Sequence, residues 1–178
     1  MKKIIPFFSL LLFLFSCTDT VEKADPQPTA EPTSETEKAI NQLVLDAYAA
    51  ISFDEGTIPD FDALGQVFTP DAIFRNFRFD TLSTATFDEF LGGYKASIEA
   101  GNLKSFNEVE LGGKTEYFGN IGHRISAYAS YINSPDTIGE RGVNSFQVIK
   151  LDGEWRVNSI VWDIESEALP IPAAYAPE

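Results

Sequence analysis

The stretch VNSFQVIKL-DG-EWRVNSIVWDI, residues 143–164, constrains the fold of this chain more than any other. Two alternating runs flank Asp152-Gly153, and a two-residue turn of that kind needs φ > 0 at both central positions, which Asp and Gly tolerate. A tight hairpin fixes a register. With Leu151 opposite Glu154, one face carries Asn144, Phe146, Val148, Lys150, Trp155, Val157, Ser159, Val161 and Asp163. This is the more apolar face and is assigned to the core. Val143, Ser145, Gln147, Ile149, Arg156, Asn158, Ile160 and Trp162 take the other, where Ile149, Ile160 and Trp162 make a candidate dimer face.

The 178 residues allow one domain with a sizeable core. Ahead of it, Lys2 and Lys3 precede an apolar run and the sequence Leu14-Phe15-Ser16-Cys17. A basic start, a short apolar stretch and a small residue before the cut describe a secretory signal over residues 1–16, too short for an ordinary transmembrane helix. Its end resembles the lipobox of bacterial lipoproteins, with Phe15 bulkier than usual; the resemblance implies that Cys17 receives lipid and becomes the first mature residue. The chain would then sit in the bacterial cell envelope, held to the membrane only through that anchor. Cys17 is the sole cysteine, so no intrachain disulfide is available and the fold must rest on its core. Residues 17–36, with three prolines and scattered acids, bury too little to offset their ordering entropy and read as a flexible tether. Without residues 1–16, 11 basic residues stand against 27 acidic ones. Such a surface repels nucleic acid and anionic headgroups.

The folded part is expected over residues 37–178. Ser34 and Glu37 offer a capping box to a helix over residues 35–52, with Ile40, Leu43, Val44, Ala47 and Ile51 at helical spacing. A short helix over 60–68 ends at Thr69-Pro70-Asp71, because proline disfavours helix at the preceding residue. A strand over 72–79 follows. Thr86 and Glu89 then cap a helix reaching Ala100, in which Gly92-Gly93 suggests a kink or close packing. Beyond it the period changes from 3.6 to 2, giving strands over 106–118, 121–132, 143–151 and 154–164. A ten-residue loop, 133–142, joins the middle pair. The proline-rich tail is expected to lay Ile171 and Tyr175 over a sheet edge. Helices followed by a meander make an α+β domain with helices on one sheet face.

This order, with the segments VFTPDAIF and GVNSFQVIK-LDGEWRVNSIVWD, resembles the nuclear transport factor 2-like superfamily, particularly its SnoaL-like bacterial members, over roughly residues 37–165. The resemblance implies a cone of about three helices on a curved antiparallel sheet, open at one end as a pocket. Members of that superfamily often dimerise through the outer sheet face. Some are isomerases, dehydratases or cyclases working without a cofactor, and others only bind ligands or proteins.

The same register reasoning locates candidate chemistry. Simple turns and the ten-residue loop put His123, the only histidine, beside Asp152, far from Asp163 and at the wrong end of the sheet for a dyad. They bring Glu108, Tyr131, Asn144 and Asp163 onto one inward stripe, with Arg141 nearby at the loop end. Polar groups in an aromatic setting suit a small-molecule pocket, and a desolvated carboxylate there, Asp163 or Glu108, could act as a base with Tyr131 as hydrogen-bond donor. A bulge at Gly112-Gly113 would instead turn Glu108 outward. No nucleotide, metal or cofactor motif occurs. The sequence thus leaves a ligand-binding or accessory lipoprotein, an acid-base enzyme and a protein-interaction module as alternatives.

Overall fold

The computed structural model describes residues 34–79 and 81–176. The expected signal segment, Cys17 and the tether up to residue 33 lie outside the described residues. Three helices and six strands follow one another: α1 (Glu35–Ile51), α2 (Phe61–Val67), β1 (Phe68–Asn76), β2 (Ser83–Thr86), α3 (Phe87–Glu99), β3 (Phe106–Phe118), β4 (Ile121–Ile132), β5 (Glu140–Leu151) and β6 (Glu154–Ile164). One sheet in the order β2-β1-β6-β5-β4-β3 holds all the strands. Its pairs are antiparallel except β1 with β6, which run parallel. The helices lie on the concave face, α1 spanning β3, β4 and β6.

Local chemistry explains the element boundaries. Ser34 accepts the Glu37 amide at 3.0 Å and starts α1 at Glu35, where the sequence places the helix, so the tether expected to reach residue 36 ends earlier. Thr86 and Glu89 form a complete capping box at α3. Contrary to the sequence expectation, α3 passes through Gly92-Gly93 unbroken, and a methyl added at either glycine would meet nothing within 4 Å. The Asp152-Gly153 turn has φ of 51° and 92°, as its residue pair requires.

Two bulges and one loop change the expected registers. In β3, Glu110 pairs with Tyr128 but Gly112 with Ala127, leaving Leu111 unpaired. In β6, Val157 pairs with Val148 but Ser159 with Gln147, leaving Asn158 unpaired. The second bulge is supported from outside: β1 detours between Phe68 and Ile73 beside it, and Asn158 donates to Thr69 Oγ1 at 3.3 Å. Pro70, which has no N–H to offer a ladder, falls within that detour. Finally, β5 begins at Glu140, so the loop after β4 is residues 133–139. His123 consequently pairs with Gln147 and Glu116 instead of lying beside Asp152.

The core lies between α1, α2 and the half of the sheet nearer the Asp-Gly turn, where Ile40, Val44, Leu64, Phe146, Val148 and Val157 are fully buried. Under α1 one buried polar cluster interrupts the apolar packing. Arg124, 7 % exposed, binds Glu110 twice, Nε to Oε1 at 2.8 Å and Nη2 to Oε2 at 3.0 Å. Its Nη1 donates to Asn41 Oδ1 on α1 and to Thr115 Oγ1 on β3. Gly113 makes room for the guanidinium, since a Cβ there would sit 3.0 Å from Arg124 Cζ and 2.5 Å from the Ile125 carbonyl oxygen.

Glu110→Ala is expected to lower unfolding free energy in urea by about 3–5 kcal/mol, because it leaves a buried guanidinium without its counter-charge.

Candidate functional site

At the other end of the sheet the side chains do not fill the space between helices and strands. A cavity of about 600 Å3 remains, walled by α1, α3 and the inner sheet face. Its apolar wall is a row of rings. Phe74 stacks on Phe90 with centroids 4.3 Å apart, Phe90 on Tyr94 at 6.1 Å, and Tyr94 meets Phe106 edge-on at 6.2 Å. Ile160 and Trp162 continue this wall from β6. The sequence reading placed both on an outer dimer face, and the Asn158 bulge is what turns them inward: beyond it Ile160 pairs with Phe146 and Trp162 with Asn144. Ile149 remains on the outer face, paired with Ile121 and Arg156. In the tail, Ile171 and Tyr175 are half-buried, and the Ile171 amide donates to Glu165 Oε1.

Two hydrogen-bonded groups stand out among the polar residues of the cavity, whose lining also includes Asn76, Ser83, Glu89, Ser97 and Asn102. In the first, Asn144 on β5 donates through one amide nitrogen to Glu108 Oε1 at 3.2 Å and to the Tyr48 hydroxyl at 3.0 Å. The Tyr48 hydroxyl, accepting from Asn144, is free to donate to Ser126 Oγ at 2.7 Å. In the second, Tyr128 donates to Glu140 Oε1 at 2.8 Å while Arg78 pairs with Glu140 Oε2 at 2.6 Å. Gly142 makes the second group sterically feasible, because a Cβ there would run into the Tyr128 hydroxyl and the Asp163 carbonyl.

Burial dominates the electrostatics. Enclosure raises Glu108 from the ordinary 4.5 to about 8; the Asn144 bond opposes that rise and the negative Glu140 adds to it, with Arg78 opposing more weakly. The Tyr48 and Tyr94 phenols are driven up by burial and then by Glu108, and Tyr128 by burial and then by Glu140. All three therefore stay protonated at neutral pH, and Glu108 is largely a neutral acid.

Of the residues singled out from sequence, the structure brings Glu108 and Asn144 together in the cavity wall. The Leu111 bulge pairs Glu108 with Ser130, not Tyr131, and keeps the carboxyl inward. Tyr131 pairs with Asn107 and alternates away from the inward Ser130 and Ile132. Arg141 pairs with Ala129 on the outer face and forms an ion pair with Glu165 at 3.2 Å. Asp163 pairs with Val143, also outside, and accepts the Ile164 amide at 2.8 Å. A bulge or the shortened loop moved Tyr131 and Asp163 across the sheet, while Arg141, expected in the loop beside the site, belongs to β5. Tyr48, Arg78, Tyr128 and Glu140 went unnoticed in sequence. Glu140 lay in the presumed loop, and Gly142 opposite a tyrosine was the available hint.

A second concavity of about 530 Å3 lies nearer the Asp-Gly turn, but its carboxylates, Asp46, Asp60 and Glu154, are all exposed. Among the described residues no group of three His, Cys, Asp or Glu side chains is placed to hold a metal ion.

No protein-family model matches the chain, and no curated protein does. Solved structures do. A protein of unknown function with a cystatin-like fold from Nostoc punctiforme superposes with a TM-score of 0.59 at 12% identity, over 77% of this chain and 97% of that one. A hexachlorocyclohexane dehydrochlorinase from Novosphingobium barchaimii superposes with a TM-score of 0.57 at 13% identity, over 74% and 87%. An NTF-2 like protein of unknown function from Silicibacter pomeroyi gives 0.53 at 21% identity, over 76% and 100%. Three helices on a curved, mostly antiparallel six-stranded sheet, shared with these structures, give this chain the nuclear transport factor 2-like fold.

Proposed function

We propose that this protein is an exported lipoprotein whose domain binds a small, largely apolar molecule in the cavity between α3 and the sheet. The observation that carries the reading is the cavity itself: about 600 Å3, walled by aromatic rings, with Glu108, Asn144, Tyr48, Tyr128 and Glu140 oriented by hydrogen bonds. That volume and composition are those of small-molecule sites in general. Residues 1–16 serve as the signal, Cys17 takes lipid, and the stretch from there to the start of α1 tethers the domain to the bacterial cell envelope.

A second reading, cofactor-free acid-base chemistry, is favoured by one observation, the protonated Glu108 beside a cavity. Such a group is a proton donor below pH 8 and a base above it. A dehydrochlorinase with the same fold is compatible with that role. Glu108 would carry it, since Asp163 and Tyr131 lie on the outer face.

Three outcomes are expected. Metabolic labelling with palmitate should mark the wild-type chain and leave Cys17→Ser unlabelled. Gly93→Phe, at a glycine that borders the cavity and has open space beside it, should weaken binding of apolar probes at least tenfold, read by fluorescence titration, with no loss of thermal stability. Glu108 should titrate near 8 by carboxyl carbon NMR. A raised carboxyl holds its proton longer in the folded state, so its contribution is full below about 4.5 and is lost as pH climbs through 8. Wild-type stability should therefore fall across that window, by up to about 1.4 kcal/mol per pH unit, and Glu108→Gln should remove the slope. An ordinary carboxylate titration would sink the acid-base reading.

A further inference from the structure

The polar groups facing Glu108 are all spoken for, yet its carboxyl is only half used. From α1, the Tyr48 hydroxyl is engaged by Asn144 and Ser126. The Tyr94 hydroxyl of α3 donates to the Ile51 carbonyl. On β4, Tyr128 donates to Glu140, and on β5 the Asn144 amide nitrogen serves both Tyr48 and Glu108. Arg78, the cation in the lining, pairs with Glu140, and Glu110, the next inward acid on β3, is taken by Arg124. Among the described residues no donor reaches Glu108 Oε2.

What remains available to a guest beside Glu108 is one carboxyl oxygen set among the tyrosines 48, 94 and 128. A carboxyl oxygen without a donor, enclosed in an aromatic chamber, is a feature that recognises an organic cation. A ligand carboxylate finds no uncommitted cation there, since Arg78 is paired with Glu140, and a neutral acceptor takes the Glu108 proton in one hydrogen bond but gains no charge pairing. Building on the cavity-binding reading, we propose that the ligand is an apolar amine whose ammonium group is held by Glu108 in the chamber that Tyr48, Tyr94 and Tyr128 line. The charge balance is simple. The empty site holds a proton on Glu108; the ammonium ion displaces it, the carboxylate pairs with the ammonium, and the proton goes to solvent. Below pH 8 each amine bound therefore releases up to one proton, and affinity rises with pH until Glu108 is ionised.

The test uses the full-length chain carrying Cys17→Ser and three probes of equal length: 4-phenylbutylamine, 4-phenylbutanol and 4-phenylbutyrate. Calorimetry at pH 6.5 in two buffers of different ionisation enthalpy should give the amine an affinity at least tenfold above the other two. It should also show release of close to one proton per amine and none per alcohol. In Glu108→Gln, checked for folding by its thermal transition, the amine-to-alcohol ratio should fall to near one. An alcohol that binds as well as the amine overturns the ammonium assignment and leaves the cavity reading standing. If no probe binds wild type, both fail together.

Discussion

Arg124 beneath α1 is the interaction on which the arrangement of the rest depends. A guanidinium this enclosed is tolerated only when its donors are matched, and Glu110, Asn41 and Thr115 match four of its N–H···O contacts from two elements, β3 and α1. The contact fixes α1 both along and across the sheet. Two further polar contacts follow on the same helix: Tyr48 over Ser126 and Asn144, and Ser52, just past its end, accepting the Glu108 amide at 3.0 Å. Positions 41, 48 and 52 recur at helical spacing, so one face of α1 carries three polar contacts within an otherwise apolar stripe. Because the first contact tolerates little displacement, Tyr48 is held over Asn144 and Glu108 with the same precision.

The inner sheet face is therefore divided. Toward the Asp-Gly turn it is a close-packed core with one satisfied ion pair; toward the loop of residues 133–139 it is an aromatic chamber with a largely neutral carboxyl. Asn133, in the left-handed region at φ 55°, accepts the Lys104 amide and donates to the Asn102 carbonyl, tying the rim together. The apolar surroundings that raise Glu108 are also what leave space for a guest. Filling the chamber with larger side chains would gain packing and remove the site, which is the usual conflict between stability and function.

Much of the fold was legible because it rests on short-range rules. Asp152-Gly153 dictates its own turn, Thr86 and Glu89 their cap, and the alternation after Phe106 the long strands. What escaped is governed by partners distant in sequence. The Asn158 bulge exists beside a detour in β1 that begins some 90 residues earlier, and nothing in EWRVNSIVWDI alone marks it. Its effect is large, since a one-residue slip moves Trp162 and Asp163 to opposite faces from those assigned. Glu108 and Asn144 were placed inward by registers that each contained an error. The two strand pairings and the loop length all shifted, and those two residues happened to stay on the concave side while Tyr131 and Asp163 did not.

The bulges at Leu111 and Asn158 have a further consequence for how such a chain changes over time. Each divides a strand into two segments whose alternation is out of phase, so the core segment and the chamber segment carry separate inside-outside patterns on one continuous ladder. Deleting the extra residue at either bulge would restore unbroken alternation and keep both patterns, whereas absorbing Asn158 into the ladder as a paired residue would keep the core and put Val161 and Asp163 on the chamber wall in place of Ile160 and Trp162. The chemistry of the chamber could then be rewritten by substitutions that abolish a bulge, without redesigning the scaffold that holds it.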